Sequence, residues 1–230
     1  MKLKILFEDE NLMALEKPSG IAVYNFAKIL LERFPHLKKV GTAPRYGLIH
    51  RLDKETSGAI LIAKNNKALK FFQKQFKEKE VFKKYLALVL GKVKKKRGEI
   101  ETLIGRAKKD RRKQKAFLPL SPEAKRKGKR RAKTLFKIKK GFKDYTLLEL
   151  IPETGRRHQI RVHLAFISHP IVGDKLYGFK NQACPKNLKR LFLHANCVKI
   201  KSLDDKFIKI KSDLPEDLEK VLKNLKDEHD

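Results

Sequence analysis

Tryptophan is absent from this 230-residue chain, and cysteine and methionine occur twice each. Two cysteines, Cys184 and Cys197, are too few for a disulfide framework, and neither has zinc-ligand partners at close spacing. A reduced, cytoplasmic protein is the expectation. No run approaches the roughly 18 apolar residues of a membrane helix, and no signal-peptide core opens the chain. A Gly-rich nucleotide loop is missing, and so is any internal repeat at a period of about 20 to 50 residues. Acidic residues are scarce: 26 Asp and Glu stand against 57 Lys and Arg, a formal net charge of +31. Such a charge opposes self-association, which favours a monomer without an obligate protein partner, and makes a polyanion the natural ligand. An anionic membrane surface is the rival, but the missing apolar runs argue against it.

The charge is concentrated. Residues 92–97 hold five cations in six positions, and residues 125–133 hold seven in nine. Blocks of like charge repel and stay mobile until a polyanion neutralises them. The segment 92–133 is therefore expected to be a phosphate-contacting hairpin or arm, with Lys125, Arg126, Lys127, Lys129, Arg130 and Arg131 as its candidate contacts. The alternative is a solvated loop.

A length of 230 residues allows one large domain or two small ones. The patterns KLKILFE, NLMALEK and GAILIAK predict short strands bounded by Pro, Gly and Asn. Leu69, Phe72 and Phe76 then fall at helical spacing, which makes them and Phe71 core residues in preference to a stacking platform. FKKYLALVLG predicts a strand, and TLFKIKKGFKDYTLLELI a hairpin turning near Lys140 and Gly141. RRHQIRVHLAFISH predicts a helix that opens just after Gly155 and stops before Pro170. A strand pair (LFLHANCVKIK and KFIKIKS) and an amphipathic helix end the chain. Strands outnumber helices and interleave with them irregularly, which predicts an α+β fold: a mainly antiparallel mixed sheet with flanking helices.

Two polar clusters carry the chemistry. HRLDKETSG (His50 to Gly58) puts Asp53 beside Arg51 in a turn-rich segment between apolar runs, and ETGRRHQIRVH (Glu153 to His163) follows about a hundred residues later. Catalytic side chains are commonly mounted on such loops between rigid elements. HRLDKETSG resembles the signature of the RluA-type pseudouridine synthases. EKPSG (Glu16 to Gly20), KKYLALVLG (Lys83 to Gly91), TGRRHQIRVHL, HPIVGDKLYG (His169 to Gly178) and LFLHA (Leu191 to Ala195) resemble further motifs of that family, in its order. The resemblance spans roughly residues 16–196.

The resemblance implies isomerisation of uridine to pseudouridine in folded RNA, by a catalytic domain over residues 1–213 followed by a helical tail at 214–230. His50 sits too early to leave room for the extra N-terminal RNA-binding domain of some relatives. The reaction breaks the N1–C1′ bond, turns the base over and joins C5 to C1′. Nothing is oxidised or hydrolysed overall, so no cofactor or metal is expected. By resemblance Asp53 is the catalytic carboxylate, Arg161 the cation that keeps it ionised, and Tyr85 the group against the uracil that handles the C5 proton. Ile160 is the other wall of the pocket. Arg51 fills the space left by a flipped uridine, or else is a surface residue bridging to Glu55. His50 is a hydrogen-bonding scaffold for the Asp53 loop. His158 and His163, five apart, are not aligned for zinc. Gly155, Gly173 and Gly178 serve turns. The RNA partner is large-subunit ribosomal RNA or transfer RNA. Two other classes stay open: a non-catalytic RNA-binding or ribosome-assembly protein, favoured by charge alone, and a carboxylate-based hydrolase, which would need a second acid or a metal cluster.

Overall fold

The computed structural model describes residues 3–125 and 127–227, so Arg126 lies outside the described residues. In chain order the first half contains β1 (Ile5–Glu8), β2 (Leu12–Lys17), α1 (Val23–Arg33), β3 (Ser57–Ala63), α2 (Asn66–Glu78), β4 (Phe82–Leu90), β5 (Arg97–Arg106) and β6 (Gln114–Phe117). The second half contains β7 (Arg130–Gly141), β8 (Tyr145–Pro152), α3 (Gln159–Phe166), β9 (Leu193–Lys201), β10 (Phe207–Lys211) and α4 (Glu216–Lys223). The elements make the α+β, mostly antiparallel architecture that the pattern predicts. They fall into two compact units. The first runs to Lys83 and takes in His194–Leu214; the second spans Lys84–Leu193 and resumes at Pro215.

In the first unit β1, β2 and β3 form an antiparallel meander. β3 continues through a short parallel joint to β9, with Ser57 opposite His194 and Gly58 opposite Ala195, and β9 pairs antiparallel with β10. All seven residues of β3 are buried, as its unbroken apolar run GAILIA requires of a strand covered on both faces. α2 is capped by Asn65, whose side chain accepts from Ala68 N at 2.8 Å. Its apolar face buries Ala68, Leu69 and Phe72. Gln75 joins that face because its amide pairs with both backbone groups of Lys201 in β9, at 2.9 and 3.1 Å. The pattern assigns no element to residues 21–47, yet α1 lies there and a 3-10 turn, Pro35–Lys39, follows it. α1 buries Phe26, Ala27 and Leu30 but leaves Tyr24 more than half exposed, so its apolar residues do not mark one clean face.

The second unit is an antiparallel sheet in the order β4, β8, β7, β5, β6. Two details differ from the pattern reading. First, the β7–β8 hairpin turns later than Lys140 and Gly141: β7 runs through Gly141, and Phe142 N bonds Tyr145 O at 2.8 Å. Second, the helix after Gly155 begins late. His158 adopts the left-handed conformation (φ 56, ψ 20) at the N-cap of α3. The Gln159 side chain accepts from Arg156 N at 2.9 Å and donates to Lys133 O at 2.9 Å, which ties the TGRRH stretch into a turn against β7. Much of the basic segment 92–133 is strand: β5, β6 and the start of β7. Ala132, Thr134 and Phe136 point inward from β7, so period-2 alternation turns Arg131 and Lys133 outward. There Arg131 pairs with Glu101, and Lys133 with Glu99 at 3.0 Å. α4 buries Leu218 and Val221 in the same unit, and Arg190 holds its Asp217 at 2.6 Å. Among the described residues no helix is long and apolar enough to cross a membrane.

Candidate active site

Asp53 sits half-buried at the start of a turn, its carbonyl accepting from Thr56 N at 3.1 Å. That turn is braced by the early motif EKPSG. Gly20 N bonds Lys54 O at 2.9 Å, and Ser19 Oγ donates to Glu55 O at 2.7 Å. Lys17 is fully buried, and its ammonium donates to the carbonyls of Pro18, Ile21 and Lys54 at 2.7, 2.9 and 3.2 Å. A buried ammonium is tolerated only when its donors are satisfied. Here three carbonyls do this, and one of them belongs to the residue after Asp53. The motif points to the loop around Lys17, but nothing in the sequence marks Lys17 itself.

The other end of HRLDKETSG is equally constrained. Gly58 has φ 118, and a Cβ there would run into the carbonyl of Ala195 and lie 2.7 Å from its nitrogen. Ser57 Oγ meets His194 Nδ1 at 3.0 Å, and His194 Nε2 meets Ser212 O at 3.0 Å. A carbonyl can only accept, so Nε2 carries a proton. His50 is locked in the same way. Its Nε2 accepts from Leu61 N at 3.0 Å, and its ring stacks on Phe76 at 4.7 Å. Part of the residue reaches the surface, but the enclosed ring and the nearby Lys83 charge push its pKa down to about 3. His50 is therefore neutral and serves as a strut between the Asp53 segment and β3. Burial lowers Lys83 as well, to about 8. Arg51, between His50 and Asp53, is exposed.

In the second unit Arg161 is buried on α3 and forms a bidentate pair with Asp174: Nε to Oδ2 at 2.8 Å and Nη2 to Oδ1 at 2.7 Å. Asp174 Oδ1 also accepts from the backbone N–H groups of Leu176 and Tyr177, at 2.9 and 3.0 Å. The guanidinium lies 5.0 Å from the centre of the Tyr177 ring. The Tyr177 hydroxyl contacts His158 Nδ1 at 2.8 Å and accepts from Gln114 N, the first residue of β6, at 2.8 Å. Asp174 and Tyr177 thus hold one edge and one face of Arg161. Both lie in HPIVGDKLYG, a motif the sequence singles out without showing what it touches. Ile160, next to Arg161, is buried. Tyr85 stands on β4 opposite Leu150, half-buried.

His158 and His163 occupy different environments. His158 caps α3, whereas His163 is fully buried between Thr102 Oγ1 at 3.0 Å and Thr134 Oγ1 at 2.9 Å. Burial pushes its pKa down to about 4. Of the basic candidates, Lys127, Arg130 and Arg131 are exposed. Lys129 lies over the Phe117 ring at 4.9 Å, and Lys125 ends a 3-10 turn, Pro122–Lys125.

Within a mostly antiparallel α+β fold, the braced Asp53 turn belongs to one unit and the Arg161–Asp174 pair to the other. The family model described as RNA pseudouridylate synthase matches residues 11–166, a stretch that includes Asp53, Tyr85 and Arg161. An RNA pseudouridine synthase of Aquifex aeolicus (strain VF5) is 40% identical over 204 residues, which is 84% of this chain and 62% of that protein. The ribosomal large subunit pseudouridine synthase C of Vibrio parahaemolyticus is 35% identical over 227 residues, 96% of this chain and 69% of that one. This chain thus spans about two thirds of the length of these relatives. The solved structure of human RNA pseudouridylate synthase domain containing 1 has a TM-score of 0.77 at 27% identity, covering 93% of this chain and 84% of that one. The chain belongs to the RNA pseudouridylate synthase family, enzymes of the isomerase class, and its motifs are those of the RluA type.

Proposed function

We propose that this protein isomerises a specific uridine to pseudouridine in structured RNA, with large-subunit ribosomal RNA as the substrate. The observation that carries the reading is the Asp53 turn, braced by Lys17, Ser19 and Gly20, in a chain whose family is shown. Relatives named for the large ribosomal subunit favour that RNA over transfer RNA, the other class open to these motifs. An RNA substrate and the reduced cysteines fit work in the cytoplasm.

Asp53 supplies the carboxylate that acts at the sugar or ring as the N1–C1′ bond breaks. Asp174 engages the Nε–Nη2 edge of Arg161 and fixes its orientation; Arg161 is, in this reading, the cation that keeps Asp53 ionised. Tyr85 takes the C5 proton after C5 joins C1′, and N1 gains a proton, so the atoms balance without a redox partner or metal. Ile160 lines the base pocket. The exposed Arg51 occupies the gap in the RNA left by the flipped uridine, a rearrangement that costs a few kcal/mol. His50 positions the Asp53 segment.

Asp53→Asn tests this directly, because a catalytic carboxylate stabilises the transition state and contributes little to phosphate binding. Pseudouridine formation should fall to background while RNA affinity and thermal stability stay near wild type. Turnover by Asp53→Asn would remove Asp53 from the mechanism. Pseudouridine mapping of total RNA from a strain lacking the protein, against its parent, identifies the target. A missing modification confined to transfer RNA would correct the substrate.

A further inference from the structure

The exposed face of α2 carries Lys67, Lys70, Lys74 and Lys77. At 3.6 residues per turn these four fall within an arc of about 80° and run about 15 Å along the helix. They lie opposite the face that buries Ala68, Leu69, Phe72 and Gln75. Lysines at i and i+4 destabilise a helix, and cations in a first turn oppose its dipole. α2 has no acidic residue in its first turn, and its single acid is Glu78 at the far end. Glu80, just beyond, acts on Lys201 on the strand side. Among the described residues none of the four lysines is held in an ion pair. Helix propensity and stability therefore do not explain this stripe.

A cavity of about 490 Å³ opens beside it, lined by Thr42, Pro44, Arg45, Leu48, Leu69 and Gln73 among others, with Lys70 on its rim. Asn66 fixes the loop that forms the cavity: its Oδ1 accepts from Gly41 N at 2.7 Å and its Nδ2 donates to Lys39 O at 2.9 Å. This staple brings Lys38, Lys39 and Arg45, all exposed, to the same end of α2. The charged groups facing the cavity are all cations, and its walls mix apolar side chains with hydrogen-bonding ones.

We infer that this surface, on a different unit from the basic hairpin, binds a single-stranded stretch of the substrate RNA, with phosphates along the lysine stripe and an unstacked base in the cavity. Bases of an A-form duplex are turned inward, whereas unpaired nucleotides present both a face and a phosphate. The inference rests on the proposed RNA substrate and adds where an unpaired stretch of that RNA is held.

The test compares two RNAs, a target stem-loop alone and the same stem-loop with an unpaired oligonucleotide flank, by fluorescence anisotropy across salt concentrations. Wild-type protein should bind the flanked RNA more tightly and with a steeper salt slope. Replacing all four lysines with Gln should abolish the difference, flattening the slope by about 0.7 for each phosphate released. Four Lys→Arg replacements should restore it. Arg45→Gln should weaken binding of the flanked RNA alone. Melting of the Gln variant should be unchanged or raised, because the like-charge repulsion is gone. Wild-type protein that binds both RNAs equally, or a Gln variant that keeps the preference, overturns the inference. Pseudouridine formation is scored separately: its absence with the flank effect intact refutes the proposed function and leaves this surface standing.

Discussion

A buried guanidinium is stable only where its charge is met, and Asp174 meets Arg161 with two hydrogen bonds in a site where its own side chain is fully buried. Asp174→Asn keeps the volume but removes the charge that faces the Nε–Nη2 edge of the buried cation. It should cost about 3–5 kcal/mol in urea unfolding and reduce catalysis as well, since it releases the guanidinium from its fixed orientation. Tyr177→Phe removes the hydroxyl shared by His158 and Gln114 and should cost about 1 kcal/mol. Equal effects from the two variants would show that the ion pair contributes nothing beyond packing. The shielded rings of His50 and His163 contribute to the response to acid. Burial of the two rings holds their pKa down, to about 3 and about 4, against a usual 6.5. The unfolded chain therefore binds more protons as pH falls through 6.5, and stability is lost from there downward. The urea midpoint should drop between pH 6.5 and 5, above the carboxylate range. His50→Gln, whose amide oxygen can still accept from Leu61 N, should make that drop shallower. An unchanged pH slope would mean that His50 is not held neutral by the fold.

The joint between β3 and β9 shows how one backbone position controls an element. Gly58 combines φ 118 with the backbone of Ala195 packed against it, so Gly58→Ala adds both strain and a clash that no side-chain rotation can relieve. It should cost about 2–5 kcal/mol. Gly20→Ala is the control: it has φ +86 but nothing within 4 Å of an added Cβ, so it should cost about 1–2 kcal/mol. Similar melting temperatures for the two would remove the clash argument. Legibility varied among the elements for related reasons. β3 and α2 were readable because burial of one face or both leaves a periodic trace in the residues. α1 was not, since a helix with an exposed Tyr24 beside buried Phe26 leaves no clean stripe. The start of α3 was hidden because it depends on Gln159 reaching β7, where it bonds a residue 26 positions earlier in the chain.

At the scale of the whole molecule a net charge of +31 makes RNA binding strongly salt-dependent. Replacing Lys127, Lys129, Arg130 and Arg131 with Gln should raise the Michaelis constant for RNA and flatten its salt dependence, by up to about 0.9 for each phosphate that is no longer neutralised. Single-turnover rates at saturating enzyme should stay near wild type. Arg131 should contribute least, because Glu101 already engages it. An unchanged salt slope would make this segment a solvated face. Composition and motif order were enough to read off the polyanion partner, the α+β class and the family, because charge and short-range pattern are properties of the chain itself. Asp53, Tyr85 and Arg161 could be proposed as site residues for the same reason. Tertiary structure decided which residues hold those side chains still. That Lys17 ties down the Asp53 turn, that Asp174 and Tyr177 grip Arg161, and that Asn66 staples the Gly41 loop to α2 are facts of spatial proximity. Proximity of this kind joins residues far apart in the chain, and no local period records it.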